Sequence, residues 1–224
     1  MGHFQTNKDS IFLFNHWEQK AYLMNDEGKK VRSYNLNPPE TKQEDAKHLG
    51  YYLMVSPESP VFKKGKFLYI NVVNTGQLKS EDGSLIFMIK LDLETGEREF
   101  LETNQSILFD EFWGPLTPFT STAIVSQNQI VSSFAKNPKV SISALDDPQI
   151  VMQEKEVRST FLKEFKPFPK LEDDHPMYGH NYMEIADETN QKAYYLGLYY
   201  SPAKGHILRP ALHARTPDQY EMGK

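Results

Sequence analysis

The chain repeats one pattern: an aromatic-rich run, a polar turn, a second run, a turn marked by Gly or Pro, and a third run. The first copy takes residues 10–14, 21–24 and 31–36, with Asn25-Asp26-Glu27-Gly28 between its last two runs. The second takes 67–73, 85–91 and 97–101 and turns through Asp92-Leu93-Glu94-Thr95-Gly96. The third holds the runs 122–125, 130–134, 140–144 and 150–153, and a fourth opens with 182–186 and 193–200. Runs of this length and residue type are strands. A unit of three or four short strands cannot bury both of its faces alone, so the units must stack on one another. That requirement predicts an all-β fold, a β-propeller of antiparallel blades.

Composition agrees with this and excludes several classes of function. Hydrophobic residues make up 39% of the 224 residues and aromatics 12%, enough for a core. Fourteen prolines and twelve glycines are spread along the chain, as many short strands with many turns require. The net charge of −5 argues against a nucleic-acid groove, which needs a basic stripe to neutralise phosphates. No run approaches the ~18 apolar residues of a membrane-spanning helix. There is no cysteine, so disulfides, thiolate metal sites and thiol nucleophiles are ruled out. The N-terminus lacks the charged and apolar regions of a signal peptide. Met1-Gly2-His3-Phe4-Gln5-Thr6 matches the short N-myristoylation pattern, but no basic cluster follows and the match is read as coincidence.

Between the strong strands the reading is coarser. Asn37-Pro38-Pro39-Glu40 breaks regular structure, and 41–49 is a charged connector. Residues 53–62 contain Pro57 and Pro60 and form an edge strand or a crossing loop. Residues 74–84 are a polar loop, and 109–119 an aromatic, turn-rich one. In 85–91 a two-residue period puts Leu85, Phe87, Ile89 and Leu91 on one face and Ile86, Met88 and Lys90 on the other. Both faces are largely apolar, so this strand is expected inside a blade and covered on both sides. Residues 155–166 have mixed helical and strand character, with Val157, Phe161, Leu162 and Phe165 at helical spacing. Nothing reads as a linker, so residues 1–224 form one domain.

Four stretches in this order carry a family resemblance: 11–36; the block from Ser59-Pro60-Val61-Phe62 through Leu91-Asp92-Leu93-Glu94-Thr95-Gly96; Ile130-Val131-Ser132-Ser133-Phe134; and Tyr178-Gly179-His180 followed by Lys192-Ala193-Tyr194-Tyr195. Together they resemble the TolB-like six-bladed β-propeller lipoproteins of Bacteroidetes. The resemblance implies export and a lipid anchor at the cell envelope, yet no lipobox cysteine is present. It also implies more blades than this length supplies. At roughly 40–50 residues per blade, about four to five blades of a six- or seven-bladed propeller are expected, in a partial chain that ends without an obvious closing strand. The family brings no established catalytic residues.

The densest polar constellation is Glu172-Asp173-Asp174-His175-Pro176-Met177-Tyr178-Gly179-His180-Asn181-Tyr182. Imidazole and carboxylate together can bind a divalent ion or act as acid and base near neutrality. The spacing of His175 and His180 matches no standard metal pattern, and a solvated loop with one His–carboxylate pair accounts for it as well. Trp113 and its flanking aromatics form either a stacking platform for sugars or core packing. Trp17 beside His16 presents the same choice, with an exposed turn aromatic as one outcome. The acidic pairs Glu81-Asp82 and Asp146-Asp147 read as turn residues. The stretch Ser201-Pro202-Ala203-Lys204-Gly205-His206 reads as a hairpin loop without a nucleophile elbow. The expected function is a non-enzymatic binding or scaffold protein that takes a protein, peptide or glycan. His175, Tyr178, His180, Tyr182, Asp174 and Trp113 are its candidate ligand-binding residues. No catalytic residue, metal or cofactor is assigned, nucleic acid is not an expected partner, and no membrane-spanning segment is expected in the chain. The alternative is a propeller enzyme, a polysaccharide lyase or hydrolase, built on the cluster at 172–182.

Overall fold

A computed structural model describes residues 2–7, 10–37, 51–53, 55–56, 60–74, 85–103, 121–124, 128–133, 138–147, 150–157, 194–195, 198–201 and 203–212. Every regular element in these residues is a strand; they contain no helix. The first sheet is an antiparallel meander of β1 (Gly2–Asn7), β2 (Ser10–Asn15), β3 (Lys20–Met24) and β4 (Lys30–Asn35). The second runs β5 (Tyr51–Leu53), β7 (Phe67–Asn74), β8 (Leu85–Asp92) and β9 (Arg98–Thr103). Its β6 (Phe62–Lys64) also pairs with β7, at the end opposite β5. Thus β5 and β6 are two halves of one interrupted strand. The third sheet is a meander of β10 (Ser121–Ile124), β11 (Gln129–Ser133), β12 (Lys139–Ala144) and β13 (Val151–Glu156). A nested hairpin follows, in which β14 (Tyr194–Tyr195) pairs with β17 (Ala211–Leu212) and β15 (Tyr199–Ser201) with β16 (His206–Leu208).

The sheets stack in chain order. Phe12, Phe14, Ala21 and Tyr34 of the first sheet bury against Leu68, Ile70, Val72, Ile89 and Leu91 of the second. The opposite face of the second sheet, with Tyr69, Phe87, Met88 and Leu101, buries against Ile130 and Leu145 of the third. Val131 and Val140 on the far face of the third pack with Leu198, beside Ile207, of the hairpin. The second sheet is therefore apolar on both faces between the first and the third, and the third lies between the second and the hairpin, which is the construction of a β-propeller. The last strands of the meanders are outermost: β13 is exposed along its whole length, and β4 is exposed except at Tyr34. A Cβ on Gly2 would stand 2.5 Å from the Cβ of Val55, so β1 approaches the segment after β5 more closely than any side chain at position 2 allows. Gly2 thus has a packing role in β1, where the short myristoylation pattern offered a different reason for it.

Several expectations change in detail. Strand β1 is absent from the sequence reading because Phe4 is its single large apolar residue and no alternation shows. The stretch 53–62 joins the two strand halves, and buried Asn71 donates its side-chain amide to the Pro60 carbonyl at 3.0 Å, fixing that connection. The strict alternation in 85–91 fails at Phe87. The pairing of β8 with β9 shifts register between Ile86 and Met88, a β-bulge. Ile86, Ile89 and Leu91 consequently face the first sheet, whereas Phe87 and Met88 face the third. The strand is covered on both sides as expected, but Phe87 belongs with Met88. Lys155 and Glu156 continue β13 as strand. The runs at 41–49, 75–84, 109–119, 158–166 and 182–186 lie outside the described residues.

Candidate functional site

Antiparallel order gives every sheet two ends, and the chain treats them differently. At one end the strands are joined by 8–9, 25–29, 65–66, 93–97, 125–128, 145–150 and 202–205. At the other the joining segments are 16–19, 36–50, 75–84, 104–120, 134–138 and 157–193. The ends correspond from sheet to sheet. Lys64 reaches Asn128 at 3.4 Å across the short-turn ends of the second and third sheets. Arg32, low on β4, donates to the carbonyls of Leu93 and Glu94 at 2.9 and 3.0 Å in the short turn of the second sheet.

The short-turn end is closed chemistry. Asp92 Oδ1 accepts from the backbone N–H groups of Glu94 and Thr95 at 2.8 and 3.2 Å, and its Oδ2 meets Lys66 Nζ at 2.8 Å. The hydrogen bond from Lys66, followed by those from the Thr95 and Glu94 amides, holds the Asp92 carboxyl below the usual carboxylate range despite its burial. Lys66 is raised in turn, chiefly by the same bond. Gly96 closes the turn at φ +83, donating to the Asp92 carbonyl at 2.8 Å. Arg32 also lies over the Tyr34 ring, 5.0 Å from its centroid, and the Tyr34 hydroxyl donates to the Leu93 carbonyl at 3.0 Å. Burial pushes that hydroxyl's pKa up. Arg32 and Tyr34 tie the first sheet to this turn, while Asp92 and Lys66 pair within the second sheet. The positive-φ glycines Gly28, Gly65, Gly96 and Gly205 all sit in turns of this end.

The other end is described at residues 16–19, 36–37, 138 and 157, where the Asn37 carbonyl accepts from Arg98 Nε and the Pro138 carbonyl from Arg209 at 3.1 Å. Asn15 Oδ1 accepts from the N–H groups of Trp17 and Glu18 at 3.0 and 3.3 Å, bracing the turn. Gln19 completes it at φ +50, and its carbonyl accepts from Leu36 N at 2.8 Å. Trp17 stands at the apex with 82% of its surface exposed, its ring centroid 4.8 Å from that of His16. Glu18 accepts from the Tyr22 hydroxyl and lies 3.5 Å from Lys20. The Tyr22 bond lowers the Glu18 pKa and raises that of Tyr22. The arrangement is an exposed indole on a braced turn, with His16 against it and Glu18, Lys20 and Tyr22 paired among themselves.

Asp174, His175, Tyr178, His180 and Tyr182 fall in 157–193 and Trp113 in 104–120; all lie outside the described residues. Among the described residues, no three His, Asp or Glu side chains gather as a metal site. No described helix is long and apolar enough to cross a membrane. Asp146 and Asp147 are exposed turn residues, and 203–205 is the hairpin turn expected there.

Residues 1–222 match a domain of unknown function, DUF4221. The chain belongs to the DUF4221 family. The crystal structure of a DUF4221 member from Bacteroides vulgatus superposes on it with a TM-score of 0.66 at 18% identity, covering 95% of this chain and 56% of that one. The chain thus spans a little over half the length of that relative and shares its fold. Two looser likenesses are to the glutaminyl cyclase of Myxococcus xanthus (TM-score 0.42, 9% identity, 94% of this chain and 66% of that one) and the β-propeller domain of Myceliophteria thermophila Cps50 (Swd1) (TM-score 0.37, 11% identity, 94% and 53%). Neither is close enough to bear on chemistry. No curated protein matches the chain.

Proposed function

We propose that this DUF4221 chain is a propeller binding module that takes a protein, peptide or glycan at the end of its sheets joined by 16–19, 36–50, 104–120 and 157–193. The asymmetry of the two ends carries the reading. At one end the turn 92–97 is bonded to the neighbouring sheet through Arg32 and Tyr34, while the other presents an exposed indole on a braced turn. Rigid scaffolds that carry recognition on their connecting segments follow this plan. Trp113 and the 172–182 cluster, which lie outside the described residues, remain the further binding positions that the sequence offers. The sequence resemblance adds a finer proposal, a TolB-like six-bladed lipoprotein of the envelope, supported by the blade whose turn carries Asp92-Leu93-Glu94-Thr95-Gly96.

The test is a screen of the purified chain against a displayed random peptide library and a panel of galactomannan, xylan and amylopectin. A binding module retains a ligand and releases it chemically unchanged. Cleavage of a polysaccharide, lost in His175→Ala and His180→Ala, would replace this reading with the enzyme alternative.

A further inference from the structure

We infer that Trp17 is a stacking subsite for a neutral sugar, with His16, Glu18 and Lys20 as its hydrogen-bonding rim. The inference rests on the proposed binding role and names the ligand class at one of its positions.

Four observations lead to it. The indole is 82% exposed, although a side chain of this size ordinarily buries most of its surface. Its exposure is not the slack of a loose loop, since Asn15 Oδ1 ties two successive amides of the turn and the Gln19 carbonyl is bonded to Leu36. Gln19 sits at φ +50, a conformation that costs a side-chain-bearing residue free energy and that recurs where a turn serves recognition. The fourth observation is the rim. A protein hot spot of the Trp type sits at the centre of an apolar patch that excludes water. Here Trp17 is flanked in sequence by His16, Glu18, Gln19 and Lys20; the His16 ring lies 4.8 Å from the indole, and Tyr22 turns its hydroxyl to Glu18. A sugar ring needs this opposite combination: one flat aromatic face for its C–H side and donors and acceptors at the edge for its hydroxyls. The ion pair between Glu18 and Lys20 leaves the rim without a dominant charge, which favours a neutral ligand over an acidic or basic one.

The test is electrophoresis of the full chain through gels containing galactomannan, xylan or amylopectin, with Trp17→Ala and Trp17→Phe alongside. At least one polysaccharide should retard the parent chain. Trp17→Ala should raise the apparent dissociation constant about tenfold, the scale of one aromatic contact. Trp17→Phe, which keeps a ring, should recover much of the loss. Thermal melts of both variants should match the parent, because an exposed side chain contributes little to folding. Retardation by none of the three overturns the sugar assignment, and peptide capture in the screen would then leave the binding role standing. Retardation unchanged in Trp17→Ala overturns the assignment of Trp17. A Phe variant as weak as the Ala variant overturns stacking as the cause.

Discussion

The turns 92–97 and 15–20 are built by the same device and end in opposite conditions. In each, an Asx oxygen at the first position accepts the N–H groups two and three residues on. In each, the fifth residue takes a positive φ, Gly96 at +83 and Gln19 at +50. Around Asp92 the neighbouring blade then closes in, with Arg32 and Tyr34 bonding to the turn's carbonyls, while Lys66 of the same sheet pairs with its carboxylate. Trp17 stays 82% exposed, and among the described residues no other sheet closes over it. One turn is held by tertiary contacts and contributes to stability; the other is held by its own backbone and keeps its apex for solvent or a ligand. The difference shows that turn chemistry fixes a loop's shape, whereas its surroundings decide its use.

The comparison can be broken most severely through the core that both turns depend on. Phe87→Ala should cost about 3–5 kcal/mol in a denaturant series, because Phe87 is buried between the second and third sheets. A loss below about 1 kcal/mol would remove the bulged strand from its assigned place. At the closed turn, Gly96→Gln should cost about 1–2 kcal/mol. The new Cβ would take a left-handed backbone 3.5 Å from the Arg32 guanidinium. The reciprocal change, Gln19→Gly, should stabilise by about 0.5 kcal/mol, the relief of strain less the entropy of glycine. Equal effects of the two substitutions would erase the distinction between the turns.

Charge gives a finer probe of the closed turn. The Asp92 carboxyl is lowered in the fold, so its ionised form stabilises the native state at pH values above the unfolded carboxylate range. That contribution disappears as pH falls through the lowered value. Asp92→Asn keeps the acceptor oxygen and loses the charge. It should melt below the parent at pH 7, and the two melting temperatures should converge on acidification below about pH 4. A gap that persists in acid would assign the effect to shape and not to charge. At the open turn, Trp17→Ala should move stability by no more than about 0.5 kcal/mol.

Much of the scaffold was legible in the sequence, for reasons these residues make plain. The strands that alternate strongly or run apolar, such as β7, β8 and β11, announce themselves, and Asp92-x-x-Thr95-Gly96 writes its own turn. Local patterns do not encode what arises between segments. The bulge at Phe87 follows from the fit of β8 to two neighbouring sheets, and the clasp of Arg32 on the Leu93 and Glu94 carbonyls joins residues some sixty positions apart. Strand β1 hides behind a polar sequence because its partner β2 supplies the order. For the candidate site, the sequence offered Trp17 beside His16 only as a choice between packing, a sugar platform and an exposed turn aromatic, and did not count it among the candidate binding residues. The brace from Asn15 was readable in principle, since Asn two residues before an exposed apex is an Asx signal.

The central claim is that recognition belongs to the end of the sheets bearing Trp17. Hydroxyl-radical footprinting of the full chain, free and with saturating galactomannan or a peptide selected from the displayed library, measures it directly. Trp17 is 82% exposed, and Met152 on outer strand β13 is 49% exposed and serves as the internal reference. The account predicts that ligand suppresses oxidation of Trp17 severalfold relative to Met152. Undiminished oxidation of Trp17, with protection confined to Met152 or to the turns at 25–29 and 203–205, would contradict it.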